Sequence, residues 1–127
     1  MNIEHFAIAS NSEKDSDTFF INLLGLKKER SFEVSEELME KFFGINKKQQ
    51  IIRYVNELIV FEVFITDDDS KSKDIFTHIC IKVKDREELI QKCQKFGFKY
   101  VKVPRKNKND YYLFIKDNFG NLFEIKS

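Results

Sequence analysis

Cysteine, histidine, proline and glycine are all scarce: the 127 residues include two cysteines, two histidines, one proline and four glycines. The cysteines, Cys80 and Cys93, form neither a CxxC step nor a Cys/His ligand spacing, which argues against a disulfide framework or a zinc knuckle. An excess of one charge is missing too, since 22 Lys and Arg stand against 21 Asp and Glu, a net charge of +1. Such a chain has no global field to gather nucleic acid or an anionic membrane, and neither is expected as a partner. Long apolar runs are absent: Leu58 to Ile65 is broken by charge and too short to span a bilayer, and residues 1–10 lack a basic start and an apolar stretch. A soluble, cytoplasmic protein is expected. Its length lets it bury a core without staples, which leaves any bound metal available for chemistry.

What is present is a pattern written twice. Ile3-Glu4-His5-Phe6-Ala7-Ile8 and Phe76-Thr77-His78-Ile79-Cys80-Ile81 each predict a short strand with histidine in third place. A helix signal follows each strand. In the second half Asp85 and Glu88 make a capping box before Leu89, Ile90, Cys93 and Phe96, with Gly97 as the left-handed stop. In the first, Asn11 or Ser12 caps a stripe of Phe19, Phe20, Leu23 and Leu24 that ends at Gly25. Both halves close on a Phe-Glu strand, Val60-Phe61-Glu62-Val63-Phe64 and Leu122-Phe123-Glu124-Ile125-Lys126.

The polar run 67–74 predicts a linker between a first module, 1–66, and a second, 75–127. The first module is longer because 35–43 reads as an inserted helix, capped by Ser35, with Leu38, Met39, Phe42 and Phe43 on one face and Gly44 as its end. Hairpin turns are expected near Asn56-Glu57 and at Asp117-Asn118-Phe119-Gly120-Asn121, and a further break at Pro104. The fold class is α+β: two tandem βαβββ modules forming a curved mixed sheet around a central site.

Strand alternation puts Glu62 on the face of Val60 and Phe64, and His5 on that of Ile3 and Ala7. A carboxylate buried there needs water, a base or a cation, and a metal is one answer; an exposed sheet surface is the other. Glu124 could equally pair with Lys126, and either histidine could bond a carbonyl. Repetition favours the metal, because the only two histidines and two strand glutamates hold equivalent places. If a pseudo-twofold axis relates the modules, the four side chains converge on it. Two imidazoles and two carboxylates suit Zn, Ni, Co, Mn or Fe(II), with positions left for a substrate oxygen.

The paired opening and closing strands, with the Asp117–Asn121 turn, resemble the vicinal oxygen chelate superfamily over nearly the whole chain. That group includes glyoxalase I, methylmalonyl-CoA epimerase, extradiol dioxygenases and the fosfomycin- and bleomycin-resistance proteins. The turn is a partial match to the family's Asp-Pro-Asp-Gly-Asn. By resemblance, His5, Glu62, His78 and Glu124 fall on the four metal-ligand positions of the bacterial glyoxalase I type. The resemblance implies one divalent metal, a lyase or isomerase of the lactoylglutathione lyase kind, and Glu124 as the base with Glu62 opposite it. It also implies a small-molecule substrate and a homodimer, with the site completed within one chain or across two. Glutathione-using relatives carry Arg and Asn where this chain has Ala9 and Thr66, a departure that leaves a different thiol adduct, an acyl-CoA or another small oxo acid open beside glutathione. The alternatives are an acyl-CoA epimerase-like enzyme, an Fe(II) dioxygenase, or a non-catalytic binder of a drug or metabolite.

Three further features are read more plainly. Lys99, Lys102, Arg105, Lys106 and Lys108 make a solvated basic loop, or attract a phosphate or carboxylate. The 35–43 helix packs into the core, or covers the pocket with Met39 and Phe43. Cys80 is expected to be a small buried hydrophobe.

Overall fold

A computed structural model describes residues 2–73 and 76–127. The chain divides into two compact units, Met1–Asp69 and Ser70–Ser127. The division falls within the polar run 67–74; its last residue, Asp74, and the expected start of the second module, Ile75, lie outside the described residues.

The first unit contains β1 (Phe6–Ser10), α1 (Glu13–Asp17), β2 (Lys27–Val34), α2 (Glu36–Phe43), β3 (Gln49–Val55) and β4 (Val60–Ile65). Its strands lie in the order β1-β4-β3-β2, with β1 parallel to β4 and the remaining neighbours antiparallel. The second contains β5 (His78–Lys82), α3 (Arg86–Phe96), β6 (Tyr100–Pro104), β7 (Tyr111–Lys116) and β8 (Leu122–Lys126). Its order, β5-β8-β7-β6, repeats the same senses. A βαβββ arrangement is therefore present twice in an α+β chain, as two four-stranded mixed sheets, and α2 is the additional element of the first copy.

Alternation along the strands separates core from site. Phe61 and Val63 of β4 and Phe123 and Ile125 of β8 are buried, and Glu62 and Glu124 between them face the other way. Both predicted opening strands start later than their sequences suggest. β1 begins one residue after His5 and β5 begins at His78, because their ladders with β4 and β8 start at Phe61 and Leu122. Ile3 and Phe76, which precede the two strands, are 74% and 81% exposed.

The first helix also departs from the simple pattern. Ser12 caps α1 by accepting from the Asp15 amide, but from Thr18 to Leu23 the chain forms a π-helical turn. An α-helix rotates neighbouring side chains by about 100°; in the wider turn Phe19 and Phe20 are both fully buried. Phe20 stacks at 4.8 Å on Tyr54 and lies 5.2 Å from Phe61, while the Tyr54 hydroxyl donates to Asp17 Oδ1 at 2.8 Å. Burial and that carboxylate push the Tyr54 hydroxyl pKa upward. In the second unit, Leu89, Ile90 and Cys93 of α3 join Leu113, Ile115, Phe123 and Ile125 in the core.

The helix ends and turns carry the chemistry expected of them. Ser35 accepts from the Leu38 amide and Asp85 from the Glu88 amide, and Gly44 and Gly97 close their helices in the left-handed region. Asp85→Ala is expected to cost about 1 kcal/mol, seen as a lower urea midpoint at unchanged slope; Asp85→Ser should keep most of the wild-type value. In the last turn Asp117 Oδ1 accepts from the Gly120 and Asn121 amides, both at 2.8 Å. α2 differs from its expected packing: Met39 is buried, but Leu38, Phe42 and Phe43 are 43%, 64% and 56% exposed.

Candidate metal centre

Parallel pairing brings each histidine to its glutamate. In the first unit Ala7 lies opposite Glu62. His5, two residues back, places Nδ1 3.7 Å from Glu62 Oε1. In the second unit Cys80 lies opposite Glu124. His78, again two residues back, places Nε2 3.5 Å from Glu124 Oε2. The four expected ligands are thus found as two His–Glu pairs, one in each unit. Among the described residues, no three His, Cys, Asp or Glu side chains form a metal-sized group.

The donor chemistry of each pair fits a divalent ion. Both separations are long for a hydrogen bond. Two donors each about 2.1 Å from one tetrahedral ion lie roughly 3.4 Å apart, close to both observed values. The glutamate side chains are 14% and 18% exposed, and the histidines 39% and 37%, so the pairs are partly sheltered yet reachable. His78 Nδ1 is 2.9 Å from the Phe76 carbonyl oxygen, a contact that orients the ring and leaves Nε2 towards Glu124. In the first pair the nitrogen that faces Glu62, His5 Nδ1, also bonds Glu4, so a cation there would take the place of that bond.

The two pairs have different surroundings. Across β3–β4 the register partner of Glu62 is Arg53, whose guanidinium donates to Glu62 at 3.4 Å, to Glu29 at 3.2 Å and to Glu4 at 3.2 Å. His5 and Arg53 together hold the Glu4 carboxyl below its ordinary range. A bulge between Lys28 and Arg30 interrupts the β2–β3 ladder at Glu29. In the second unit the register partner of Glu124 is Phe114, which meets the His78 ring edge-on at 5.7 Å. Lys126 approaches Glu124 to 3.7 Å. The Arg53 network was not among the expected site residues. Its signal lies in the hairpin: the β3–β4 pairing centres between Glu57 and Leu58, one residue beyond the Asn56-Glu57 step, and only that register sets Arg53 against Glu62.

Other expectations are redrawn. Cys80 is exposed rather than buried, because it shares the open face of His78 and Glu124 instead of the α3 face; desolvation and the Glu124 carboxylate raise its thiol pKa. Two members of the basic stretch are paired with carboxylates: Lys102 with Glu87 at 2.7 Å and Arg105 with Asp110 at 3.3 Å. Arg86, with the Tyr111 amide and Arg105, holds the Asp110 carboxyl down to about 2. Ala9 and Thr66 both line an open groove between α2 and the first sheet.

The family model for the Glyoxalase/Bleomycin resistance protein/Dioxygenase superfamily matches residues 2–125. No curated protein matches the chain. Among solved structures, a glyoxalase family protein from Enterococcus faecalis is 19% identical, with a TM-score of 0.74 over 99% of this chain and 97% of its own. A glyoxalase family protein from Bacillus cereus is 17% identical, with a TM-score of 0.74 over 98% of this chain and 92% of its own. A genomically encoded fosfomycin resistance protein from Listeria monocytogenes is 14% identical, with a TM-score of 0.72 over 98% and 91%. At such identities these likenesses show the fold, and the family match carries the assignment: the chain belongs to the Glyoxalase/Bleomycin resistance protein/Dioxygenase superfamily.

Proposed function

We propose that His5, Glu62, His78 and Glu124 hold one divalent ion, Zn, Ni, Co, Mn or Fe. The protein is then a glyoxalase-like isomerase or lyase that moves a proton at a carbon beside an oxygen-bearing group of a small molecule. The observation that carries this reading is the repeated His–Glu pair, with the same two-residue offset and donor separations of 3.7 and 3.5 Å. Support for a divalent ion in this fold comes from a mutant fosfomycin resistance protein of Listeria monocytogenes, solved with Mn(II) and 1S,2S-dihydroxypropylphosphonic acid. A cytoplasmic homodimer belongs to the same proposal.

A divalent ion, when bound, supplies Lewis-acid polarisation of a substrate oxygen. The chain's own residues divide the remaining work. Arg53 ties down the Glu62 carboxylate, which suits a fixed ligand. Glu124 lies 3.5 Å from His78 and 3.7 Å from the exposed Lys126, with Cys80 and Phe114 as its cross-strand neighbours, and lacks the guanidinium that holds Glu62, so its carboxylate is the freer of the two to take a proton and return it to the adjacent carbon.

The test is metal content and affinity of wild type beside His5→Ala and Glu124→Ala, by elemental analysis and calorimetry at matched folded signal. About one ion per site in wild type, lost in either variant, is the expected result. A wild type that takes up no divalent ion under any loading sinks the enzyme reading in favour of a metal-free small-molecule binder.

A further inference from the structure

We infer that the groove under α2 is a subsite for an uncharged hydrocarbon part of the substrate, a short alkyl chain or single ring, whose oxygen-bearing end lies at the His5–Glu62 pair. This rests on the proposed function only for the position of the oxygen-bearing end. Ala7, Ala9 and Phe64 form the floor, Met39 and Phe43 the roof, and Ile45 one end of a cavity of about 320 Å³. That volume is at the small end of ligand sites, which run from about 300 to 1,000 Å³. No charged side chain lines it. Of the polar groups at its rim, the Gln49 amide is already spent on the carbonyls of Gln50 and Ile65.

Two observations connect this space with a ligand. First, the floor is continuous with the candidate metal centre: Ala7 is the register partner of Glu62, and Ala9 that of Phe64, two residues further along β4. Second, α2 contributes little to the core, because Met39 is the only one of its four apolar residues that is buried. Ser35 caps one end and Gly44 closes the other, and α2 meets the sheet through buried Met39 and the Phe43 ring standing edge-on to Phe64 at 5.7 Å. A helix that leaves Phe43 56% exposed and is followed by Ile45 at 51% presents apolar surface beside the site without covering it. An apolar group seated there gains burial on both sides. A carboxylate or ammonium would lose its water and find no countercharge.

The full chain, labelled at alanine and methionine methyl groups, is titrated in the magnet with 1-hexanol alone, and with alkyl hydroxamates of two to eight carbons with and without zinc. The Ala9 and Met39 methyl signals are expected to shift with hexanol in the absence of metal. Hydroxamate affinity should rise about fourfold per methylene until the groove fills. Ala9→Arg should flatten that slope, as should Phe43→Ser, a change at an exposed position outside the core. Methyl signals unmoved by hexanol, or a slope that survives both substitutions, overturn the subsite. Binding of every hydroxamate that is independent of zinc, with the slope intact, overturns the metal centre and supports the groove. Zinc-dependent binding without a slope does the reverse.

Discussion

Replacing Phe20 by alanine is expected to remove about 4 kcal/mol of stability, by the usual cost of truncating a fully buried aromatic ring. Phe20 has no exposed surface. Its ring is 5.1 Å from Phe19, 4.8 Å from Tyr54 and 5.2 Å from Phe61. The cavity therefore opens at the centre of the aromatic cluster that joins the π-helical turn to β3 and β4, where neighbouring rings are too stiff to collapse inward. Set against a total of about 5–15 kcal/mol for a domain, the loss is large enough to populate unfolded protein at moderate temperature. Phe20→Leu, which refills most of the space, should cost less than about 2 kcal/mol. Urea unfolding followed by far-ultraviolet circular dichroism reads both, and a loss below about 1 kcal/mol for the alanine variant would show that the cluster is not the core of its unit. Because Phe61 immediately precedes Glu62, the same variant should also weaken metal uptake at concentrations of urea that leave the wild type folded.

Much of this arrangement is legible in the chain. The capping residues Ser12, Ser35 and Asp85, the left-handed Gly44 and Gly97, and the Asp117 turn act through bonds to residues three or four positions away, so local sequence identifies them. The alternation around Glu62 and Glu124 likewise needs only a period of two. Features that depend on partners elsewhere in the chain are harder to read. The π-helical turn uses the same apolar residues that an α-helix would, and what selects it is the burial of both Phe19 and Phe20 against Tyr54 and Phe61. Whether Cys80 is covered depends on which sheet face α3 occupies, not on the cysteine's neighbours in sequence. Arg53 becomes a partner of Glu62 only through hairpin register, where a shift of one residue would turn it to the opposite face.

Arg53→Met should have two effects of opposite sign. The Arg53 guanidinium faces the carboxylates of Glu4, Glu29 and Glu62. The Arg53 and Glu62 side chains are each only 14% exposed, so removing the cation leaves a sheltered carboxylate beside two others. A loss of about 2 kcal/mol is expected, between the small value of an exposed pair and the larger one of a buried pair. Metal affinity should move the other way. Losing one positive charge from beside a dication gains roughly 2 kcal/mol, against about 1 kcal/mol for the loosened Glu62 rotamer, so binding tightens about fivefold. Thermal unfolding with and without zinc, paired with calorimetry, separates the two effects. The variant should melt below wild type when metal-free and recover more than wild type does on adding the ion. Equal weakening of both properties would make Arg53 simply the strut that holds Glu62 in place. The opposite movement of stability and affinity would instead mean that the arginine occupies, in the metal-free chain, part of the electrostatic role that the ion takes over on binding.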